Sequence, residues 1–187
     1  NWTTETPVIL YTGNFESYQG VDLMVRATPL LHATLPAARV LLVGGEPDQI
    51  VALQTLATEL GVHHVIHFTG KRPPDDMPAF MTLAHALGSP RTHGTNTALK
   101  IYGYMQSGLP IVATNLATHT QVLTPNNAWL VEPTPEAFGE GMIAALTQTA
   151  EAHRRGLAAK TLVDTEYSLP AFRRKVSDAY TTHFDTP

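Results

Sequence analysis

The 187 residues are 43% hydrophobic and 15% charged, enough for one packed core, and 12 Lys and Arg against 16 Asp and Glu leave a net charge of −4. That balance disfavours a general nucleic-acid or polybasic membrane surface but leaves room for a local basic pocket. The chain has no cysteine, so disulfide frameworks and Cys-based zinc sites are excluded, and no apolar run approaches the roughly 20 residues of a membrane helix.

The chain opens on Asn1-Trp2-Thr3, a glycosylation-acceptor tripeptide that we read as coincidence because no signal-peptide pattern accompanies it. It has no initiator Met and enters a strand almost at once, as a piece of a longer protein would. "PVILYTG" (7–13), "RVLLVGG" (39–45) and "HVIHFTG" (64–70) are apolar runs that each end in glycine. Later candidates are "HALGS" (85–89), "PIVAT" (110–114) and "AWLV" (128–131). Short buried strands separated by helical stretches predict a parallel sheet with crossover helices.

Between the strands the period changes to helical. Val21, Met24, Val25 and Leu31 share one face, and Pro29 is expected to kink or restart that helix. Leu53, Leu56, Ala57 and Leu60 share another, with Asp48 as N-cap and Gly61 as stop. Thr134-Pro135 is a cap followed by proline at the first helical position, ahead of Phe138, Met142, Ala145 and Leu146. A charged, Ala-rich helix covers 151–160, and a last one from Pro170 bears Phe172, Val176 and Tyr180. The sum is an α/β chain: a Rossmann-like, doubly wound, six-stranded parallel sheet over 1–169 and a C-terminal helix over 170–187.

"YTGNF", "LVGGEP", "FTGKRP", "SPRTHGTNT" and "VATNLATH" all follow strands and therefore line one edge of the sheet, where such folds bind ligands. Gly13 and Gly20 bracket the first of these loops, and Gly44-Gly45 lets backbone approach a ligand. Neither a G-x-G-x-x-G fingerprint nor a P-loop is present, which disfavours a dinucleotide dehydrogenase or an NTPase. Thr95-Asn96-Thr97 are N-cap residues for a helix from about Ala98 to Ser107, whose free N–H groups suit a phosphate. Arg91, Lys100, Lys71 and Arg72 stand ready to add positive charge. Nine histidines include His63, His64 and His67 about the third strand, but no H-E-x-x-H or nearby carboxylate cluster supports a metal. His93 and His119 sit in better places to meet a sugar or phosphate.

Taken together, "LYTGNFESYQGVDLMVRATPLL", "ARVLLVGGEP", "VIHFTGKRPPDDMPAFMTLA" and "GTNTALKIYGYMQSGLPIVATN" resemble, in order and spacing, the C-terminal domain of a group 1 retaining glycosyltransferase. That family has the GT-B architecture of two Rossmann-like lobes, and the likeness covers nearly the whole chain. The resemblance implies a lobe that holds a nucleotide-diphosphate sugar as substrate, with no cofactor and no metal. It places the base near Lys71 and Arg72, the diphosphate on Gly94, Thr95, Asn96, Thr97 and the helix opening with Arg91 and Lys100, and further donor contacts at Gly13, Asn14, Gln19, Gly20, Gly45 and Glu46. Catalytic and acceptor-binding residues would lie on an absent N-terminal lobe, so this piece alone is expected to be inactive. The resemblance also implies a cytoplasmic protein without nucleic-acid partners, peripheral at the inner face of a membrane through the missing lobe only.

The chain departs from the family at telling places. The family has two glutamates eight positions apart where this chain has Thr95 and Gly103, and Arg and Lys where it has Asn14 and Gln19. Lost charge-assisted bonds of that kind count about 1.5–3 kcal/mol each. The departures keep a second reading open, a non-catalytic binding or assembly module on the same fold. A two-lobed nucleotide-sugar epimerase is a weaker third, because no convincing acid–base carboxylate pair is present.

Overall fold

Alternating apolar residues that are buried on both faces dictate a sheet sandwiched between helices. The structure, a computed structural model, describes Thr3 and residues 5–184, with side chains as far as Tyr180. Asn1 and Trp2 of the acceptor tripeptide lie outside the described residues. All six expected strands form: β1 (Val8–Thr12), β2 (Arg39–Val43), β3 (Ile66–Phe68), β4 (Ala86–Ser89), β5 (Ile111–Thr114) and β6 (Trp129–Val131). They pair in parallel in the order β3-β2-β1-β4-β5-β6, the doubly wound arrangement. The order reverses between β1 and β4, so the loops after those two strands diverge and leave a crevice at the strand ends.

Period-two alternation sorts the sheet's side chains into two cores. Ile9, Tyr11, Val40 and Leu42 join a cluster with Met24, Leu31, Leu53 and Phe138. Val8, Leu10, Leu41 and Val43 join another with Ile101, Tyr104, Met105 and Ala159. The first face is covered by α1 (Val21–Thr34), α2 (Pro47–Glu59) and α6 (Pro135–Thr147). The second is covered by α3 (Met77–Leu83), α4 (Lys100–Ser107) and α7 (Thr149–Glu166). A short α5 (Ala117–Thr120) follows β5, and α8 (Leu169–Phe184) ends the described chain.

Local signals hold in part. Thr134 caps α6, its hydroxyl accepting from the Ala137 N–H at 3.2 Å, with Pro135 next. The cap of α2 is Glu46, not Asp48: the Glu46 N–H donates to the Gln49 side chain at 3.0 Å, and Asp48 falls inside the first turn. Pro29 neither breaks nor restarts α1, which runs unbroken from Val21 to Thr34. Packing on α6 holds it: Gly139 lets α6 approach so closely that a Cβ there would lie 3.2 Å from the Ala27 carbonyl oxygen. His63 and His64 form a 3-10 turn ahead of β3, outside the alternating strand expected for them.

Gly103 sits in mid-α4 with nothing within 4 Å of where a Cβ would be. Gly103→Ala is therefore expected to stabilise the chain by about 1 kcal/mol, the ordinary helix-propensity difference. A urea denaturation midpoint that stays put or falls would contradict this.

Candidate functional site

At the C-terminal ends of the inner strands, three turns lean on one another. The Gly13 N–H donates to the Val43 carbonyl at 3.0 Å, and the Gly44 N–H donates to Gly70 at 2.9 Å. Gly44 adopts φ +128°, and a Cβ there would collide with the Gly13 carbonyl. Only glycine permits that approach, so the loops after β1, β2 and β3 close into one wall.

That wall bounds a cleft of about 330 Å³ lined by Gly13, Asn14, Gly44, Gly45, Lys71, Arg72 and Lys100, with Pro74 and Met77 opposite. Residues from three loops and two helices thus meet, as the sequence reading expected of the rim. Lys71 is ion-paired with Glu46, both half-exposed or more. Exposed pairs of that kind add little to stability but keep a cation at the mouth.

Lys100 enters from the first turn of α4. Its ammonium donates to the Gln19 side-chain oxygen at 3.0 Å and lies 3.9 Å from the centre of the Tyr11 ring. A Cβ on Gly13 would stand 2.9 Å from its Nζ. Burial, then the nearby Arg91 charge, pushes the Lys100 amine down to about 7. Tyr11 is fixed beneath it, its hydroxyl donating to the Asn14 carbonyl at 2.7 Å, and burial followed by repulsion from Tyr104 raises that phenol. The Tyr104 hydroxyl accepts from the Thr12 N–H at 2.8 Å, and burial pushes its phenol up to about 12.

The remaining expected site residues lie elsewhere. Thr95, Asn96 and Thr97 do not cap α4, which starts at Lys100 and has no side-chain cap. They are instead tied down by α5 and its neighbours. The Asn96 carbonyl accepts from Arg91 at 2.9 Å and from the Thr118 hydroxyl at 2.7 Å; Thr97 donates to Gln121 at 3.0 Å, and Gln121 donates to the Thr95 carbonyl. Arg91 is buried beneath this loop, also donating to the Thr118 hydroxyl and stacked 5.0 Å from the centre of the Tyr18 ring. Gly94 arches over that guanidinium. Arg91 therefore supports the loop from inside, one guanidinium nitrogen bonding both the Asn96 carbonyl and the Thr118 hydroxyl, while its buried Nε has no hydrogen-bond partner among the described residues. Gly20 faces away from the cleft: at φ +66° it packs on the Pro90 backbone, where a Cβ would lie 2.9 Å from the carbonyl carbon.

Neither histidine singled out at the rim lines the cleft. His119 is buried, its Nδ1 against the Thr114 carbonyl at 2.9 Å and its Nε2 against Ser89 Oγ at 2.8 Å. Burial pushes it down to about 4, so it is a neutral tie between β4 and β5. His93 borders a separate hollow with Glu16 and Asp22. Among the described residues, no group of three His, Cys, Asp or Glu is placed to hold a metal, and no helix is long and apolar enough to cross a membrane.

Sequence reasoning missed Tyr11, Tyr104 and Met77. Two tyrosines in otherwise apolar segments were the available signal, since a buried phenol needs a partner for its hydroxyl.

Comparison with known proteins agrees with this fold. The family model for glycosyl transferases group 1 matches residues 6–148. The GDP-mannose-dependent alpha-(1-6)-phosphatidylinositol monomannoside mannosyltransferase of Mycobacterium tuberculosis is 24% identical over 182 residues, covering 93% of this chain and 47% of that protein. Among solved structures, HepE of Anabaena in complex with UDP and glucose superposes with a TM-score of 0.83 at 16% identity, over 94% of this chain and 48% of that one. The C-terminal domain of the group 1 glycosyl transferase LpcC from Francisella tularensis gives 0.78 at 17% identity, over 87% of each chain. The chain spans about half the length of the relative it matches and of HepE. With a matching family model over most of its length and a GT-B-type sheet beneath the cleft, the chain belongs to the group 1 glycosyltransferases.

Proposed function

We propose that this chain is the donor-binding C-terminal lobe of a glycosyltransferase that moves a sugar from a nucleotide-diphosphate sugar to a carbohydrate or lipid-linked acceptor with retention. The observation that carries the reading is the cleft itself: the glycine turns after β1 and β2 line it without side chains, and the cations Lys71, Arg72 and Lys100 converge there at the strand ends. A diphosphate is the ligand such a set neutralises, and preorganised cations and dipoles are what a departing nucleoside diphosphate needs as its charge develops. The names of the matched proteins support a nucleotide-sugar donor, GDP-mannose in one case and UDP with glucose in another. No cofactor or metal enters this reading. The acceptor, and the groups that act on it, belong to the other lobe of a complete enzyme.

Gln19 and Gly103, which stand where the family has Lys and Glu, favour one alternative, a binding or assembly module that retains the fold without turnover. Titration calorimetry with UDP-glucose and GDP-mannose separates the two. Heat of binding from either supports the donor-lobe reading; no heat from these or other nucleotide sugars supports the module. The described domain carries its own two-sided core, and we expect it to bind without turning over.

A further inference from the structure

A second hollow opens where the cleft ends. It is a groove of about 670 Å³ between α3 and α4, which shares Pro74 and Met77 with the cleft and then passes Pro78, Met81 and Gly103. Lys100 and Gly103 are one turn apart on α4, so the helix face that brings the ammonium to the cleft continues into the groove as bare backbone. Among the described residues that line the groove, no side chain is charged and the polar ones have spent their donors. The Thr82 hydroxyl donates to the Ala79 carbonyl at 2.7 Å, the Ser107 hydroxyl donates to the Tyr104 carbonyl at 2.6 Å, and the Gln106 amide is drawn to the Asp164 carboxylate. Next to the cleft the surface is thioether, pyrrolidine ring and glycine backbone.

We infer that this groove holds the nucleoside of the donor and that Gly103 leaves the site blind to the ribose 2′-hydroxyl, so that deoxyribonucleoside-diphosphate sugars are accepted as readily as ribonucleoside ones. The inference rests on the donor-lobe reading and adds the substrate class. A diphosphate held by Lys71, Arg72 and Lys100 carries a sugar at one end and a nucleoside at the other. A hexose brings several hydroxyls, and each would lie unpaired against Met77, Pro78 and Met81. The nucleoside presents the flatter and more apolar surface. Met77 and Met81 stand one turn apart on α3, and thioethers pack well against an aromatic ring. The hexose is left to the Asn14 side of the cleft.

A protein tells ribose from deoxyribose by a hydrogen bond to the 2′-hydroxyl. Here that bond needs a polar side chain on the helix face that follows Lys100, and position 103 supplies none. Neither packing nor backbone conformation requires glycine there: a Cβ would meet nothing within 4 Å, and Gly103 is not among the residues of positive φ. Its effect is therefore on what the groove can recognise. The groove is open and Gly103 exposed, so a ribose hydroxyl keeps its water and adds nothing to affinity. Gly103 is the specificity-determining position, and it acts by the side chain it lacks.

Titration calorimetry of the 187-residue chain with UDP and 2′-deoxy-UDP reads the inference directly, with GDP and 2′-deoxy-GDP as a second pair. Each deoxy form is expected to bind within about threefold of its ribo form, since an ordinary hydrogen bond to the missing hydroxyl would count about fivefold. Gly103→Glu is expected to favour UDP over 2′-deoxy-UDP by about tenfold or more, the worth of a hydrogen bond to a carboxylate. Its repulsion of the diphosphate weakens both nucleotides alike and cancels in the ratio. In the unmodified chain labelled at its methionine methyl groups, UDP is expected to move the NMR signals of Met77 and Met81. Inorganic pyrophosphate, confined to the cleft, should leave Met81 unmoved. Met24, Met105 and Met142 are buried and serve as internal references. A preference of about tenfold for UDP over 2′-deoxy-UDP in the native chain overturns the inference and leaves the donor reading standing. So does a Met81 signal that bound UDP leaves in place, or a Gly103→Glu chain as blind as the native one. If no nucleotide binds at all while pyrophosphate does, the donor reading falls and the inference falls with it.

Discussion

Gly156→Ala is expected to destabilise this chain by about 3 kcal/mol, reversing the usual gain from replacing a helical glycine. Gly156 lies in the middle of α7, where Ala would ordinarily gain about 1 kcal/mol. Here α7 rests on the end of α4: a Cβ on Gly156 would run into the Gly108 carbonyl, with the carbonyl carbon 2.9 Å away and Leu109 backbone at 3.3 Å. That backbone cannot retreat cheaply. Gly108 ends α4 in the left-handed region at φ +71°, its N–H bonded to Met105 at 3.1 Å, and Pro110 and β5 follow at once. The strain must therefore be taken up by shifting α7 off α4, which opens the second core. A drop in melting temperature of roughly 6–12 °C is the matching thermal effect for a chain of this size. Gly103→Ala, one helix turn earlier on α4 and open to solvent, is the natural companion measurement. If both variants gained stability alike, the close contact between α4 and α7 would be refuted.

Lys100→Met is expected to stabilise the fold most at acid pH, by up to about 5 kcal/mol as a linkage ceiling. In the folded chain burial lowers the amine from 10.5 to about 7. Below pH 7 both states carry the proton, and only the folded one holds the resulting charge away from water. Between pH 7 and 10.5 the folded chain has shed its proton while the unfolded chain still binds it, so native stability rises with pH across that window. The advantage of Lys100→Met must therefore be largest below about 7 and shrink toward zero by about 10.5. Water in the open cleft and the loss of the cation–π contact with Tyr11 both reduce the ceiling. Urea unfolding of both proteins at pH 6 and pH 9.5 measures the difference, and parallel stability at the two pH values would mean that the amine is not shifted. A residue that lowers stability and faces a ligand cleft fits a functional site better than a structural one.

The elements were legible because their signals are local. Each strand is a short apolar run ending near glycine or a polar loop, and the alternation that places Ile9 and Tyr11 in one core and Val8 and Leu10 in the other is a property of neighbouring residues. The Thr134-Pro135 start of α6 and the Gly61 stop of α2 are likewise written within a few positions. Parallel strands and their crossovers then place every strand-end loop on one edge, so the neighbourhood of the site also followed from the sequence. What the polar side chains do there was decided by tertiary structure. Lys100 and Gln19 are bonded across 81 positions, and Arg91 and Thr118 across 27. Those pairings turned one expected rim cation inward as a prop and left the other facing the cleft. His119, expected at the rim, was buried by β4 and β5, and the Thr95–Thr97 segment exchanged helix capping for bonds to α5. Periodicity records which face of an element is apolar, whereas the partner of a polar atom depends on which distant segments the finished sheet brings within 3 Å of it.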